Sequence, residues 1–123
     1  MKIITSDQKD NKDLEFFRGP GGYEGKRFYL DIGQNVSNFN FYFIKFLKGK
    51  QSDEHFHEKS FEMFYTLTRM YIVLNDEPYD LKPHTLIKLQ CKDRHKIIAK
   101  HNDIEFIAVK LPILKGDKVT TEK

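Results

Sequence analysis

Apolar and polar residues alternate along this chain in short runs, and turn residues cut the runs apart. The most regular run is Asn38 to Leu47, where Phe39, Phe41 and Phe43 fall on one parity and Tyr42, Ile44 and Phe46 on the other. A period of two is the signature of a strand, and apolar residues on both faces mean that the strand is covered on both sides. Parity alone leaves open which of the two sets lines the interior. Similar runs are Leu14–Phe17, Arg27–Ile32, Glu54–His57, Phe61–Thr68, Met70–Leu74, Tyr79–Leu81, Leu86–Cys91, His95–Ala99 and Ile104–Leu111. Between them lie Gly19-Pro20-Gly21-Gly22, Gly49, Asn75-Asp76-Glu77-Pro78, Pro83-His84 and His101-Asn102-Asp103, all turn chemistry. No segment has helical periodicity. About ten strands without helical crossovers predict an all-β fold, an antiparallel sandwich or barrel.

The length of 123 residues predicts one domain over 1–123. Its core is expected at about 38–112, with N-terminal strands in 1–37 and a frayed, lysine-rich polar tail from 113 to 123. Eleven Phe and six Tyr with no Trp suit pleated, half-buried surfaces. The net charge of +3 is mild and the lysines are scattered, which argues against nucleic acid as a partner. A single Cys91 excludes an internal disulfide and fits a reducing compartment. Met1 to Asp13 lacks the apolar run of a secretory signal, and no apolar stretch is long enough for a membrane helix. These features predict a cytoplasmic protein that uses neither membrane nor nucleic acid. The two-faced strand at 38–47 and the apolar Leu14-Glu15-Phe16-Phe17 predict a homodimer that covers the outer surface.

The chemistry concentrates at His55-Phe56-His57, with Glu62 and His95 further on. Residues i and i+2 of a strand share a face, so His55 and His57 project together, and two imidazoles form half of a ligand set for a first-row divalent ion. His57 and Glu62 have opposite parity. A turn or bulge at Glu58-Lys59-Ser60 would reset the alternation and bring Glu62 inward, followed by Phe64 and Thr66. His95 would carry Ile97 and Ala99 inward with it. A buried Glu beside aromatic rings is costly unless paired, and a divalent cation is a natural pair. His84, His101 and Arg94 are read as surface residues. Arg27 and Tyr29 are candidates to hydrogen-bond a polar substrate at the barrel rim.

These residues resemble the motifs of the cupin superfamily. The first motif, G-x5-H-x-H-x3-4-E-x6-G, matches at Gly49, His55, His57 and Glu62, with Arg69 in place of its last glycine. The second, G-x5-P-x-G-x2-H-x3-N, falls on His84, Gln90, Lys92, His95 and Ala99, so only its histidine is kept. The resemblance spans roughly Phe41 to Pro112. It implies a double-stranded β-helix, or jelly-roll barrel, holding one Fe, Mn, Ni or Zn ion through His55, His57, Glu62 and His95. It also implies altered turns where glycines are lost at Arg69, His84 and Lys92. Function divides three ways: a metal-dependent oxygenase, isomerase or lyase acting on a small polar organic molecule; a metal-independent sugar isomerase or epimerase with His55 or His57 as acid and base; or a non-catalytic ligand-binding barrel.

Overall fold

Eleven strands and no helix make up the described residues, 7–30 and 39–121, of a computed structural model of the chain. They are β1 (Leu14–Arg18), β2 (Glu24–Leu30), β3 (Phe39–Phe46), β4 (His55–His57), β5 (Phe61–Thr66), β6 (Met70–Leu74), β7 (Glu77–Leu81), β8 (Leu86–Leu89), β9 (His95–Ile98), β10 (Ile104–Leu111) and β11 (Lys118–Thr120). One sheet runs β1-β2-β3-β10-β5-β8 and the other β11-β4-β9-β6-β7, with every pairing antiparallel. The all-β jelly-roll expectation therefore holds. The expected strand ends at Ile32 and Asn38 lie outside the described residues. No helix among those residues is long and apolar enough to cross a membrane.

Burial settles the parity question for β3, where Tyr42, Ile44 and Phe46 face inward. Phe41 and Phe43 stay half-buried on the outer face, with Phe28 edge-on to Phe41 and Lys26 over Phe43. The core joins these inner residues to Phe64, Ile104, Phe106 and Ala108 of the same sheet, and to Met70, Ile72, Ile97 and Ala99 from the facing one. Each fully buried large side chain contributes about 1.5–3 kcal/mol, so Phe46, Phe106, Met70 and Ile72 carry much of the closure between the sheets.

The turns follow local chemistry. Asn75 and Asp76 both take positive φ, 48° and 71°, which matches the twist of a two-residue hairpin between β6 and β7. Glu77 and Pro78, expected in that turn, instead begin β7; proline is tolerated there because β7 lies at the sheet edge. Two of the altered turns keep the backbone that a glycine would serve: His84 has φ 64° and Lys92 has φ 71°. New turns were expected there; the left-handed backbone is retained and its cost is carried by these side chains.

The C-terminal segment departs from the expected frayed tail. Lys118–Thr120 adds to β4 in the register Lys118↔His57, Val119↔Phe56, Thr120↔His55. The physical reason is edge satisfaction: β4 has three residues and meets β9 only through His55↔His95, so its other edge needs a partner.

Candidate metal centre

His55, His57, Glu62 and His95 come together inside the barrel, each offering one ligand atom, all within 4.8 Å of one another. β4 supplies His55 and His57 on one face, and β9 brings His95 directly opposite His55. The ring centroids of His55 and His95 are 4.2 Å apart, and those of His55 and His57 are 5.3 Å apart. Glu62 arrives from the other sheet on β5.

The parity reset before Glu62 is held by Asp117. Its Oδ1 accepts the Lys59 N–H at 2.9 Å and its Oδ2 the Ser60 N–H at 3.0 Å, while its backbone carbonyl accepts the Glu58 N–H at 3.1 Å. Ser60 Oγ donates to the Pro112 carbonyl at 2.8 Å. The whole turn is thus pinned from outside by the segment that leads into β11.

Glu62 Oε1 lies 3.2 Å from His57 Nε2 and 3.4 Å from His95 Nε2. Neither approach is aligned for a hydrogen bond, so these three atoms are buried with no hydrogen-bond partner. Buried polar atoms in a folded interior are ordinarily satisfied, and three orphans aimed at one another are a donor set that a shared cation would fit. A first-row ion bonds N and O donors at roughly 2.0–2.2 Å, which puts opposite donors about 4.2 Å apart. A cluster within 4.8 Å fits that ion after a small contraction.

The outer nitrogens prepare the inner ones. His95 Nδ1 lies 3.1 Å from the Asp93 carbonyl, and His55 Nδ1 lies 3.2 Å from the Asp53 carbonyl. A carbonyl only accepts, so each Nδ1 donates outward and each Nε2 is left as the ring nitrogen available to the cluster. Burial pushes Glu62 up, but the contacts and charges of His57 and His95 outweigh it and hold Glu62 well below the usual carboxylate range. Burial, with the charges of His95 and Lys118, pulls His55 down to about 4, so its imidazole is neutral at pH 7. An anionic carboxylate and a neutral imidazole are the protonation states that bind metal.

The cluster opens outward. A cavity of about 50 Å³ lies against His55, Glu62 and His95, roofed by Tyr23 and Phe64. A second cavity of about 270 Å³ shares Tyr23, Ile44, His55 and Glu62 with it and opens past Arg27, Tyr42, Lys110 and Lys118. Tyr23 stacks on Phe46 at 4.6 Å and packs so closely on Gly19 that a Cβ there would sit 1.8 Å from its ring. Burial, then the charges of Asp53 and Glu62, push its phenol up to about 12, so it stays protonated.

Of the two rim candidates, Arg27 lines the outer cavity, with its guanidinium over Phe17 and Tyr42. Tyr29 donates to Glu15 at 3.1 Å and does not line the cavity. Arg94 turns away to Asp76 at 2.7 Å, His84 is exposed beside the Tyr65 hydroxyl, and His101 is exposed near Tyr71. Tyr23, Lys110 and Lys118 were not anticipated. Lys110 had a readable signal, because it continues the inward parity of Ile104, Phe106 and Ala108 on β10.

No protein-family model matches the chain, and no curated protein sequence does either. Solved structures match in shape. The polyketide cyclase RemF from Streptomyces resistomycificus aligns at a TM-score of 0.73 with 19% identity, over 100% of this chain and 87% of the other. Pac13, a nucleoside dehydratase of Streptomyces, aligns at 0.70 with 18% identity, over 90% and 87%. KdgF from Halomonas sp. aligns at 0.65 with 18% identity, over 82% and 88%. At these identities the likeness establishes a shared small β-barrel fold.

Proposed function

We propose that this chain is a metal-binding barrel of the cupin type whose interior site acts on a small polar organic molecule. The observation that carries the reading is the trio of buried, unpartnered donor atoms on His57, Glu62 and His95, with His55 completing the set. His55, His57, Glu62 and His95 would hold one divalent Fe, Mn, Ni or Zn ion. When bound, such an ion supplies Lewis acidity toward a substrate oxygen.

The remaining work belongs to the chain. Asp53 and Asp93 carbonyls orient two of the imidazoles. Tyr23, Phe46, Phe64 and Phe106 give the inner cavity an aromatic wall. Tyr23, with its proton retained, is the candidate donor to a developing oxyanion, because it lines both cavities. A nucleoside dehydratase and a polyketide cyclase share the barrel shape, which supports catalysis on a small molecule over passive binding.

Elemental analysis of protein purified without a polyhistidine tag tests the reading. One ion per chain, absent from a folded His57→Ala/His95→Ala variant, supports it. Folded metal-free protein with sugar isomerase activity would establish the metal-independent alternative. Oxygen uptake and sugar isomerisation screens on the iron-, manganese- and nickel-loaded forms separate an enzyme from a passive binder.

The outer face of the six-stranded sheet is the proposed homodimer surface. Phe16, Phe61, Tyr65 and Leu86 are exposed there, and a groove of about 720 Å³ runs between Phe16, Phe43 and Lys26. Sedimentation at micromolar concentration should give twice the chain mass; a monomer would refute it. Half-buried, unpaired Cys91 accords with the cytoplasm as the proposed compartment.

A further inference from the structure

The rows of the large sheet carry a polar band across its inner face. In register, Asn40 on β3 stands opposite Lys110 on β10, and Lys110 stands opposite Glu62 on β5. Lys110 therefore shares the inner face with the metal-ligand carboxylate and lines the outer cavity. An inward lysine on a barrel strand is expensive unless something uses its charge.

Charge accounting over the cavity isolates this residue. Four cations line it: Arg18, Arg27, Lys110 and Lys118. Arg18 pairs with Glu24 at 3.4 Å, Arg27 with Glu15 at 2.8 Å, and Lys118 with Asp53 at 3.4 Å. Among the described residues Lys110 alone of the four forms no ion pair. The carboxylates whose charges reach it are Glu62 and Asp117, with Arg27 and Lys118 opposing them. Asp117 is committed to the Lys59 and Ser60 N–H groups. Glu62 turns its Oε1 to the histidine cluster, where a bound divalent ion would offset its charge. Beside Lys110, Asn40 directs its Nδ2 to the Tyr42 hydroxyl at 3.0 Å, leaving its buried Oδ1 without a partner.

We infer that Lys110 is the anchor of an anion subsite, and that the substrate is a small organic carboxylate seated between Lys110 and the metal-ligand cluster. This rests on the metal reading above for the second anchor point, but the lysine and its cavity stand without it. Carboxylate is favoured over phosphate by what is lacking around the cavity. Phosphate is ordinarily cradled by a helix N-terminus or by a free guanidinium fork. The described residues contain no helix, and Arg27 holds Glu15 and Tyr29 through Nη1, so that its buried, unpartnered Nε is what it still offers the cavity. One unpaired ammonium matches one carboxylate charge. Arg27 and Lys118, paired as they are, add a positive rim that draws an anion inward.

Calorimetric titration with glycolate, with its neutral counterpart ethylene glycol and with inorganic phosphate tests this on zinc-loaded and metal-free protein. Glycolate should bind the zinc-loaded protein at least about tenfold more tightly than ethylene glycol or phosphate, the scale of one charge-assisted contact. Lys110→Met should weaken glycolate by about tenfold or more while zinc content stays at that of the wild type, and Lys110→Arg should stay within about threefold. Absence of glycolate binding, equal affinity for ethylene glycol, or an unchanged Lys110→Met would overturn the subsite. Tighter binding of phosphate would overturn the carboxylate assignment. The two readings fail separately. A protein that takes up no zinc yet binds glycolate through Lys110 loses the metal and keeps the subsite; stoichiometric zinc with Lys110-independent glycolate does the reverse.

Discussion

Asp117→Ala should dismantle the proposed metal centre from a distance, because Asp117 stands outside the His55, His57, Glu62 and His95 cluster yet fixes the turn that aims Glu62. Its two carboxylate oxygens accept the backbone N–H groups of Lys59 and Ser60. Each hydrogen bond to a charged acceptor contributes roughly 1.5–3 kcal/mol when the partner is left buried and unsatisfied. The Ser60 bond is buried and counts in full; the Lys59 bond is half-buried, and water can replace part of it. The sum is about 3 kcal/mol, a large share of the roughly 5–15 kcal/mol of a typical domain. Urea unfolding of metal-free protein at pH 7 measures it, read as a lower midpoint at unchanged slope. Zinc affinity should fall as well, since Glu58–Ser60 no longer reset the parity between His57 and Glu62. The acid limb supplies the sign. Burial raises the Asp117 carboxyl, but its hydrogen bonds with Ser60 and Lys59 outweigh burial and hold it below the ordinary 3.8. Its stabilisation is therefore complete above pH 3.8 and is lost as pH falls through the folded value, so wild-type and variant stabilities should converge in acid. A cost under about 1 kcal/mol at pH 7, or a constant gap down to low pH, would refute the assignment.

Other perturbations probe the frame. Phe106→Ala removes a ring packed on Phe46 and Phe64 and should cost about 3–5 kcal/mol in urea unfolding; a loss below about 1 kcal/mol would mean the sheets are not closed around it. Lys92→Gly relieves a left-handed backbone with φ 71° and should raise the unfolding free energy by roughly 0.5–1 kcal/mol. A destabilised Lys92→Gly would show that the turn is held by the lysine side chain.

Much of the fold was legible because alternation in a strand is a local signal. β3, β5 and β10 each write inward and outward residues at period two, and His55 and His57 inherit a common face from the same rule. The convergence of His55, His57, Glu62 and His95 was legible for that reason, together with the turn chemistry at Glu58-Lys59-Ser60. Three things were hidden. The segment around Val119 reads as a polar tail because its strand character comes from β4's unpaired edge, a tertiary demand with no sequence mark. The turns at His84 and Lys92 keep left-handed backbone without glycine, since neighbouring contacts outweigh local preference: the His84 N–H donates to the Thr66 carbonyl at 2.7 Å, and the Lys92 N–H to the His57 carbonyl at 2.7 Å. Tyr23 reaches the cavity from the turn between β1 and β2, and Lys118 through the pairing of β11 with β4, and no periodicity in their own segments announces either. Lys110 was different. Its inward parity was written in β10, but a single lysine after Ile104, Phe106 and Ala108 reads as a strand end until Glu62 is seen opposite it.

The most direct measurement is anomalous diffraction at the zinc absorption edge from crystals of the zinc-loaded protein. One peak per chain, within bonding distance of His55, His57, Glu62 and His95, is the predicted result. Peaks confined to the protein surface, with Glu62 hydrogen-bonded to the imidazoles in an ion-free interior, would contradict it.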